Sequence, residues 1–508
     1  MTSLPTLILA FALIGLVFTA LTRMAKRTEN LFWTFLQHFC GVWFIFSGLV
    51  KAVDPIGTAY KMQDYFREFE NTFAGLTNSL KGLAPLFPWL SKYSTGFSIT
   101  MIVLEIALGV MLIMGYRRKL TAWLFFLIVV FFTLLTGFTF MTGFVPTEAN
   151  FFDFAKWGPY IKSQMRVTDC GCFGDFIKLN PRTSFFKDLG LMVPAVLFLF
   201  RSRNMHLLWT PRVRNLSVAA AVVVSLLFCW RNTYWDLPMV DFRPFKVGSN
   251  IRERKALEAE ARGNVEILGY VLENTRTGEI AKFMEPDPKK PYSYIKSYPK
   301  DQGWRVKDQI QTEPYVEKDG QKVYITETKV SDFAVEDGEN GEVTDELLEE
   351  KGLSLMIVAF HIEGEKREET VTLRDTVWTT DTLRISPDSI QLSRRVASVD
   401  SHEETRMTIE PDLDYADVFR AKVNPLADAA IKAGWKVYAI ASTPDSDISA
   451  DFKQKIGAAY PFYKADDKLL KTITRSNPGL VVLRDGQVIG MYHWRHLPGV
   501  DEFIGKYR

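Results

Sequence analysis

Six apolar runs dominate the first half of this 508-residue chain, at Leu4 to Leu21, Leu31 to Val50, Phe97 to Gly115, Leu120 to Phe140, Phe185 to Phe200 and Leu216 to Trp230. A helix needs roughly 20 predominantly apolar residues to cross a bilayer; the last two runs are short and need their flanks to complete them. The pattern predicts an α-helical membrane bundle. No positive charge precedes the first run, while Arg23, Lys26 and Arg27 follow it, so it reads as an N-out anchor and not as a cleaved signal peptide.

Short loops that stay in the cytoplasm keep an excess of Lys and Arg. Arg23, Lys26 and Arg27 mark the first connection, Arg117, Arg118 and Lys119 the third, and Arg201, Arg203, Arg212 and Arg214 the fifth. These alternate loops are therefore expected inside. The long connections Lys51 to Gly96 and Met141 to Ser184, and everything after Trp235, are expected on the extracytoplasmic side. Lys and Arg outnumber Asp and Glu up to Asp236 and the reverse holds beyond it, so a basic membrane half is joined to an acidic soluble half. The basic residues flank apolar runs and do not interleave with aromatics, which sets nucleic acid aside and leaves the lipid bilayer as the evident partner.

All four cysteines, Cys40, Cys170, Cys172 and Cys229, lie in the membrane half. Cys170 and Cys172 stand one glycine apart in Asp169-Cys170-Gly171-Cys172-Phe173-Gly174-Asp175, between the fourth and fifth runs. A disulfide closing so small a loop removes little unfolded-state entropy, so pairing here has a chemical reason, and a strained, exposed disulfide is a labile, oxidising one. An inert glycine-tight turn and a metal site with a remote ligand are the other readings. Cys40 and Cys229, alone in apolar helices, read as small buried hydrophobes.

Ionisable residues inside the spans are scarce. Glu105 falls near the middle of the third run, where a carboxylate costs about 2.5–3.5 kcal/mol on insertion scales and serves a function, a partner or a structural hydrogen bond. Lys51 and Asp54 close the second run; their ordinary reading is a snorkelling lysine and a helix-ending Asp-Pro turn. Lys187 and Asp188 open the fifth on the same side. These four charges are placed to surround the cysteine loop.

Beyond Trp235 a Pro-rich stretch to Pro244 reads as a linker, Arg252 to Arg262 as a short charged helix, and 264–329 as short strands divided by Pro and Gly. From Asp332 the pattern becomes α/β. Leu353 to Phe360 is a continuous apolar strand of the kind buried on both faces. Asn424-Pro425 opens a helix to Ala433, Lys436 to Ala441 is a second buried strand, and Leu480 to Met491 is a hairpin turning at Asp485-Gly486. Glu363 to Val423, highly charged, reads as a surface insertion. The expected domains are an anchor helix at 1–30, a four-helix membrane domain at 31–203, a sixth span at 204–235, a linker and β-rich region at 236–331, and an α/β domain at 332–508.

Cys170-Gly171-Cys172-Phe173-Gly174-Asp175 between two spans, Phe46-Ser47-Gly48-Leu49-Val50-Lys51 through Asp54-Pro55, and the Glu105 span ending at Gly115 resemble the DoxX and MauE families of four-helix redox-associated membrane proteins, in their Bacteroidetes-type form. The resemblance implies a core of spans two to five. It also implies periplasmic thiol and disulfide chemistry and, in some members, quinone-linked sulfur oxidation. The quinone reductases that generate disulfides on a similar four-helix plan relay electrons between two cysteine pairs, and this chain has one. The segment 332–508 resembles the thioredoxin-like fold, with Asn477-Pro478-Gly479 where that fold keeps its cis-proline. Phe360-His361-Ile362-Glu363-Gly364, where a thioredoxin carries its Cys-x-x-Cys, has no cysteine, so this domain cannot perform dithiol exchange.

The expectation is a membrane thiol–disulfide oxidoreductase. Cys170 and Cys172 would be catalytic, supported by Glu105, Lys51, Asp54, Asp175, Lys187 and Asp188. The cofactor stays open, with a quinone the one suggested, and a periplasmic thiol or disulfide protein is the expected partner. The competing expectation is a non-catalytic scaffold that recruits a periplasmic protein. His493 and His496 have ligand-like spacing but no third ligand in the sequence, and no metal is assigned to them.

Overall fold

Cap residues followed by proline decide where the last two membrane helices begin. The computed structural model describes residues 3–28, 30–167, 170–286, 292–338, 341–386, 389–443 and 446–508. Helix α1 spans Leu4–Met24 and α2 spans Leu31–Val53, the latter capped by the Asn30 side chain. Asp54 ends α2 and caps α3, Pro55–Ala74, by accepting from the Gly57 amide at 3.0 Å. After α4, Leu86–Lys92, come α5, Ser94–Met114, which stops at left-handed Gly115, and α6, Arg118–Thr142. Asn180-Pro181 starts α7, Pro181–Phe200, and Thr210-Pro211 starts α8, Pro211–Trp230, which runs on through a π-turn to Trp235. An acceptor side chain at the cap with proline in the first turn spares one orphan amide and removes another. These two starts lie about one turn before the last two apolar runs, so each helix is 20 residues long and the apparent shortness of those runs disappears. Among the described residues six helices, α1, α2, α5, α6, α7 and α8, are long and apolar enough to span a membrane.

The chain divides into two compact units, residues 1–243 with 257–327, and residues 244–256 with 328–508. Helix α9, Ile251–Gly263, contains the point where the chain returns from the second unit to the first. In the first unit, strands β1, Ile267–Asn274, β2, Ile280–Met284, and β3, Trp304–Gln311, form an antiparallel sheet ordered β2-β1-β3, with the short helix α10, Tyr294–Ser297, before β3. Tyr270, Leu272 and Tyr294 fill its core. Strands β4, Tyr315–Lys318, and β5, Gln321–Tyr324, pair separately.

The second unit is built on a seven-stranded sheet. Its strands are β6, Glu336–Asp337, β7, Gly341–Glu342, β8, Leu353–Ala359, β11, Lys436–Ala441, β12, Phe462–Lys464, β13, Gly479–Arg484, and β14, Gln487–His493, in the order β14-β13-β8-β11-β12-β6-β7. The central β8 and β11 are parallel, and β13 runs antiparallel to β8. Alternate residues of β8 enter different cores: Leu355, Ile357 and Ala359 pack with Phe419, Phe452 and Phe503, and Met356 and Val358 with Phe333, Tyr438 and Leu469. That is why its sequence is apolar without alternation. Helix α11, Thr344–Leu348, precedes β8; α14, Ser446–Ile456, α15, Asp467–Ile473, and α16, Val500–Tyr507, complete the layers. Asp485 and Gly486 take φ of 49° and 70°, the turn expected between β13 and β14. The Asn477–Pro478 peptide bond is cis.

Two expectations need correction. The charged insertion after β8, expected to run to Val423, ends sooner: it is a two-stranded hairpin of β9, Gly364–Ser386, and β10, Ser389–Pro411, and Tyr415 and Phe419 beyond it belong to the core. The high charge of the sequence hides the strands because it interrupts the apolar alternation by which a strand is read. The helix assigned to start at Asn424 starts at Asp412, whose side chain accepts from the Tyr415 amide. Leu413–Val418 (α12) passes through a π-turn at Phe419–Val423 into Asn424–Lys432 (α13), because Pro425 has no N–H for the regular ladder. Asn424 is buried and bonds the Ile456 carbonyl and the Tyr460 hydroxyl instead.

Candidate functional site at the cysteine loop

Glycine sets the spacing of the two helices that carry the site's first ion pair. A methyl group added at Gly48 of α2 would sit 2.5 Å from Ile106 of α5, and one at Gly41 would sit 2.6 Å from Ile113, so only bare backbone allows this approach. The close crossing brings Lys51 of α2 against Glu105 of α5. Lys51 Nζ donates to both carboxylate oxygens, at 2.7 and 2.8 Å, with the two side chains 8% and 3% exposed. The snorkelling reading of Lys51 therefore fails: a partner inside the bundle replaces the water its ammonium would otherwise seek. Lys51 also lies 4.8 Å from the centre of the Phe132 ring.

A second pair stands on α7, where Lys187 and Asp188 bond each other and Asp188 accepts from the Thr136 hydroxyl of α6 at 3.0 Å. The cysteine loop closes over both. Gly171 adopts φ 61° and Gly174 φ 53°, left-handed values that glycine takes without strain, and the pair lets the chain reverse tightly. Phe173 between them is fully buried, with ring contacts to Trp43 and Phe46, and the Ser47 hydroxyl donates to the Cys172 carbonyl at 3.1 Å. Helix α3 supplies the remaining wall: Tyr65, whose hydroxyl lies 2.8 Å from Thr139 Oγ1, and Lys61, whose stem backs Gly171.

Cys170, Gly171, Cys172, Lys51, Glu105, Lys187 and Asp188 thus line one cavity with Tyr65 and Thr136. The rest of its wall is mainly apolar, including Phe44, Met101, Val129, Phe132 and Leu191, and it holds about 820 Å³, its open mouth included. Asp54 and Asp175 do not line it; Asp54 caps α3, and Asp175 pairs with Lys178 at 3.8 Å. Asp169 lies outside the described residues. Cys40 and Cys229 are buried among apolar side chains, away from the cavity wall, and none of the four cysteines is in a disulfide.

Burial pushes the Cys172 thiol up from its ordinary value; Lys187 and Lys51 pull it down and Asp188 adds to the rise. Burial likewise holds Tyr65 well above the ordinary phenol range, with Cys170 adding to the effect. At neutral pH both groups keep their protons. Sequence reasoning missed Tyr65, Thr136, Ser47 and all of α3, although Asp54-Pro55 is a cap followed by proline and signals the helix start. His493, a residue of the second unit, uses Nδ1 to accept the Arg495 amide.

Residues 28–146 match the family model of methylamine utilisation protein MauE. This is a MauE-like, multi-pass membrane protein. The match runs from α2 beyond α6 and includes Lys51, Asp54 and Glu105; the cysteine loop and α7 of the MauE-like unit lie after its end. Neither the curated proteins nor the solved structures compared with the chain gave a match.

Proposed function

We propose that the MauE-like unit is a thiol–disulfide redox protein of the bacterial inner membrane, with Cys170 and Cys172 at the periplasmic face. The observation that carries this reading is a two-cysteine turn closing a cavity that holds two buried ion pairs. In the oxidising direction the thiols of Cys170 and Cys172 lose two protons and two electrons and their sulfurs bond. A partner protein disulfide takes up both, its S–S bond breaking to two thiols. The first proton must leave a thiol whose burial resists ionisation, and the Lys187 ammonium is the group set to stabilise the thiolate at Cys172. Lys51–Glu105 and Lys187–Asp188 hold that end of the cavity polar without leaving a charge uncompensated.

The apolar walls with two ammonium groups among them also fit a quinone: Phe132, Met101 and Leu191 would flank the ring and Lys51 or Lys187 would donate to a carbonyl oxygen. When bound, a quinone supplies a two-electron, two-proton acceptor. The second unit reads as a thioredoxin-like docking domain. Its strand order β14-β13-β8-β11 supports this reading, as do its parallel central pair and the helices against the sheet. No cysteine stands at the end of β8, which leaves it a binding role.

Trapping decides the matter. Cys170→Ser and Cys172→Ser are each expected to abolish exchange while leaving expression intact, and one of them should accumulate a mixed disulfide on non-reducing gels. Full complementation by both variants, or a wild-type pair that never oxidises in cells, would replace this function with that of a scaffold. Periplasmic placement is checked by an enzyme tag at Arg508, which should report from outside, and one in the 201–214 loop, which should not.

A further inference from the structure

Glycine draws the helices around the cysteine cavity into two tight pairs. A methyl group at Gly109 of α5 would sit 2.6 Å from Ile45 of α2, and one at Gly137 of α6 would sit 3.0 Å from Phe185 of α7. Helices α5 and α6 thus belong to different pairs. At the end nearest the cysteine loop, α3 bridges them: the Ser98 hydroxyl of α5 donates to the Pro55 carbonyl at 2.7 Å, Gln63 Nε2 donates to Ser94 Oγ at 2.8 Å, and Tyr65 meets Thr139 of α6. Beyond that bridge the cavity wall consists of Met101 on α5 and Phe131, Phe132 and Leu135 on α6.

Exposure marks where this wall is open. Lys51, Glu105, Asp188 and Leu191 are buried, whereas Phe131 is 42% exposed and Met101, Phe132 and Leu135 are partly so. Leu127 and Leu134, one turn to either side of Phe131, are exposed as well, so Phe131 stands at the border between the cavity and the outer face of α6. The helix ends give the depth of that border. Trp89 and Tyr93 are exposed just before α5, as aromatic residues at a bilayer interface are, and Met101 lies about 12 Å further along the helix. Phe131 is at the middle of α6. An opening there meets hydrocarbon and not water.

The inner end of the cavity selects what can enter. Its two ammonium groups and two carboxylates sum to zero charge, so a neutral ligand fits and a charged one would need a counter-ion. An ammonium has three N–H groups; Lys51 gives two hydrogen bonds to Glu105, and the third N–H can donate to a carbonyl oxygen. The thiols of Cys170 and Cys172 face the same space.

We propose that a lipid-soluble quinone enters this cavity from the bilayer, between α5 and α6, with its ring toward Lys51 and its hydrocarbon tail leaving past Phe131 and Leu135. Its two carbonyl oxygens take up the two electrons and two protons that the Cys170 and Cys172 thiols give up as their sulfurs bond, and it leaves as the hydroquinone. The choice of a quinone rests on the redox function proposed above; the opening does not. Full-length reduced protein in lipid nanodiscs is labelled with N-(1-pyrenyl)maleimide, which partitions into hydrocarbon, or with a sulfonated, water-soluble maleimide, and Cys172 is read by peptide mass spectrometry. Leu135→Trp narrows the opening and should slow the pyrenyl reagent at Cys172 severalfold, and Phe131→Ala widens it and should speed the reaction. Leu134→Trp, at a residue that is 67% exposed and does not line the cavity, should do neither. The water-soluble reagent should not distinguish the four proteins. In the same discs decylubiquinone should oxidise the wild-type pair, and Leu135→Trp should raise its half-saturating concentration by about tenfold. Equal labelling of all four proteins by the pyrenyl reagent, or parallel changes with both reagents, overturns the opening. Labelling as expected without oxidation by decylubiquinone overturns the quinone as the occupant, while the redox function itself is judged separately, by the mixed disulfide of the serine variants.

Discussion

The MauE-like unit and the α/β unit bury their interiors in opposite ways. Around the cysteine loop the first buries charge, Lys51 with Glu105 and Lys187 with Asp188, inside an apolar bundle. The second surrounds β8 with apolar side chains on both faces and leaves the end of the strand, at Phe360 and His361, without a thiol. Charge buried in pairs is a poor way to gain stability, since desolvation offsets most of the Coulomb attraction. A bundle that needed only stability would place leucines there. The proposed function assigns chemistry to the first unit and binding to the second, and the contrast between the two interiors can be tested by breaking each in turn.

The largest effect is expected at the first ion pair. Glu105→Leu leaves the Lys51 ammonium buried without its partner and should cost about 3–5 kcal/mol, read as a lower unfolding midpoint in detergent. Lys51→Met combined with Glu105→Leu should recover most of the loss. Glu105→Gln separates structure from chemistry: the protein should insert and fold, with exchange lost if the carboxylate serves a proton-coupled step. Normal exchange in the Gln variant would leave Glu105 a structural role alone. In the other unit Ile357→Ala should cost about 2–5 kcal/mol by opening a cavity at the centre of the sheet, with no dependence on pH between 6 and 9, since the atoms lost carry no charge.

A smaller, pH-dependent effect should distinguish the thiols. Because burial holds Cys172 above the ordinary cysteine range, its alkylation at pH 7 should be slow and should go on rising through the pH at which an exposed cysteine levels off. Lys187→Met removes a cation that favours the thiolate, so it should slow alkylation several-fold further at fixed pH. Faster alkylation in that variant would mean that Lys187 acts on Cys172 by blocking access and not by charge.

These contrasts were unequally legible in the sequence. The six spans, the apolar β8 and β11 and the Asp485-Gly486 turn rest on local signals, namely run length, continuous hydrophobicity and turn chemistry, and each is found at or near its expected place. Cys170, Cys172, Lys51, Glu105, Lys187 and Asp188 could be named from residue type and depth. That Lys51, Asp54, Lys187 and Asp188 could surround the cysteine loop was legible too, though Asp54 does not line its cavity; the Lys51–Glu105 pair was not, because it depends on how closely Gly41 and Gly48 let α2 approach α5, a fact about the partner helix. Helix α3 was missed because its apolar residues are sparse, and β9 and β10 because charged residues interrupt the apolar alternation that marks a strand. Asn424 looked like a cap because Asn-Pro is good cap chemistry. Asp412 took that role because the π-turn before Pro425 lets the helix begin three turns earlier, on the near side of Tyr415 and Phe419, which then enter the core.

That misreading supplies the finest test of the comparison, since it sets an exposed cap against a buried polar side chain within one continuous helix. Asp412→Ala removes one hydrogen bond to an amide at a helix start and should cost about 1 kcal/mol. Asn424→Ala strips partners from the buried Ile456 carbonyl and the Tyr460 hydroxyl, so it should cost more, about 1–3 kcal/mol. Were Asn424 the cap, the order would be reversed and Asp412→Ala would be silent. Equilibrium unfolding of the two variants, followed by the fluorescence of Trp435 in the same unit, gives the order directly. Asp412→Asn, which keeps an acceptor at the cap, should return most of the smaller loss.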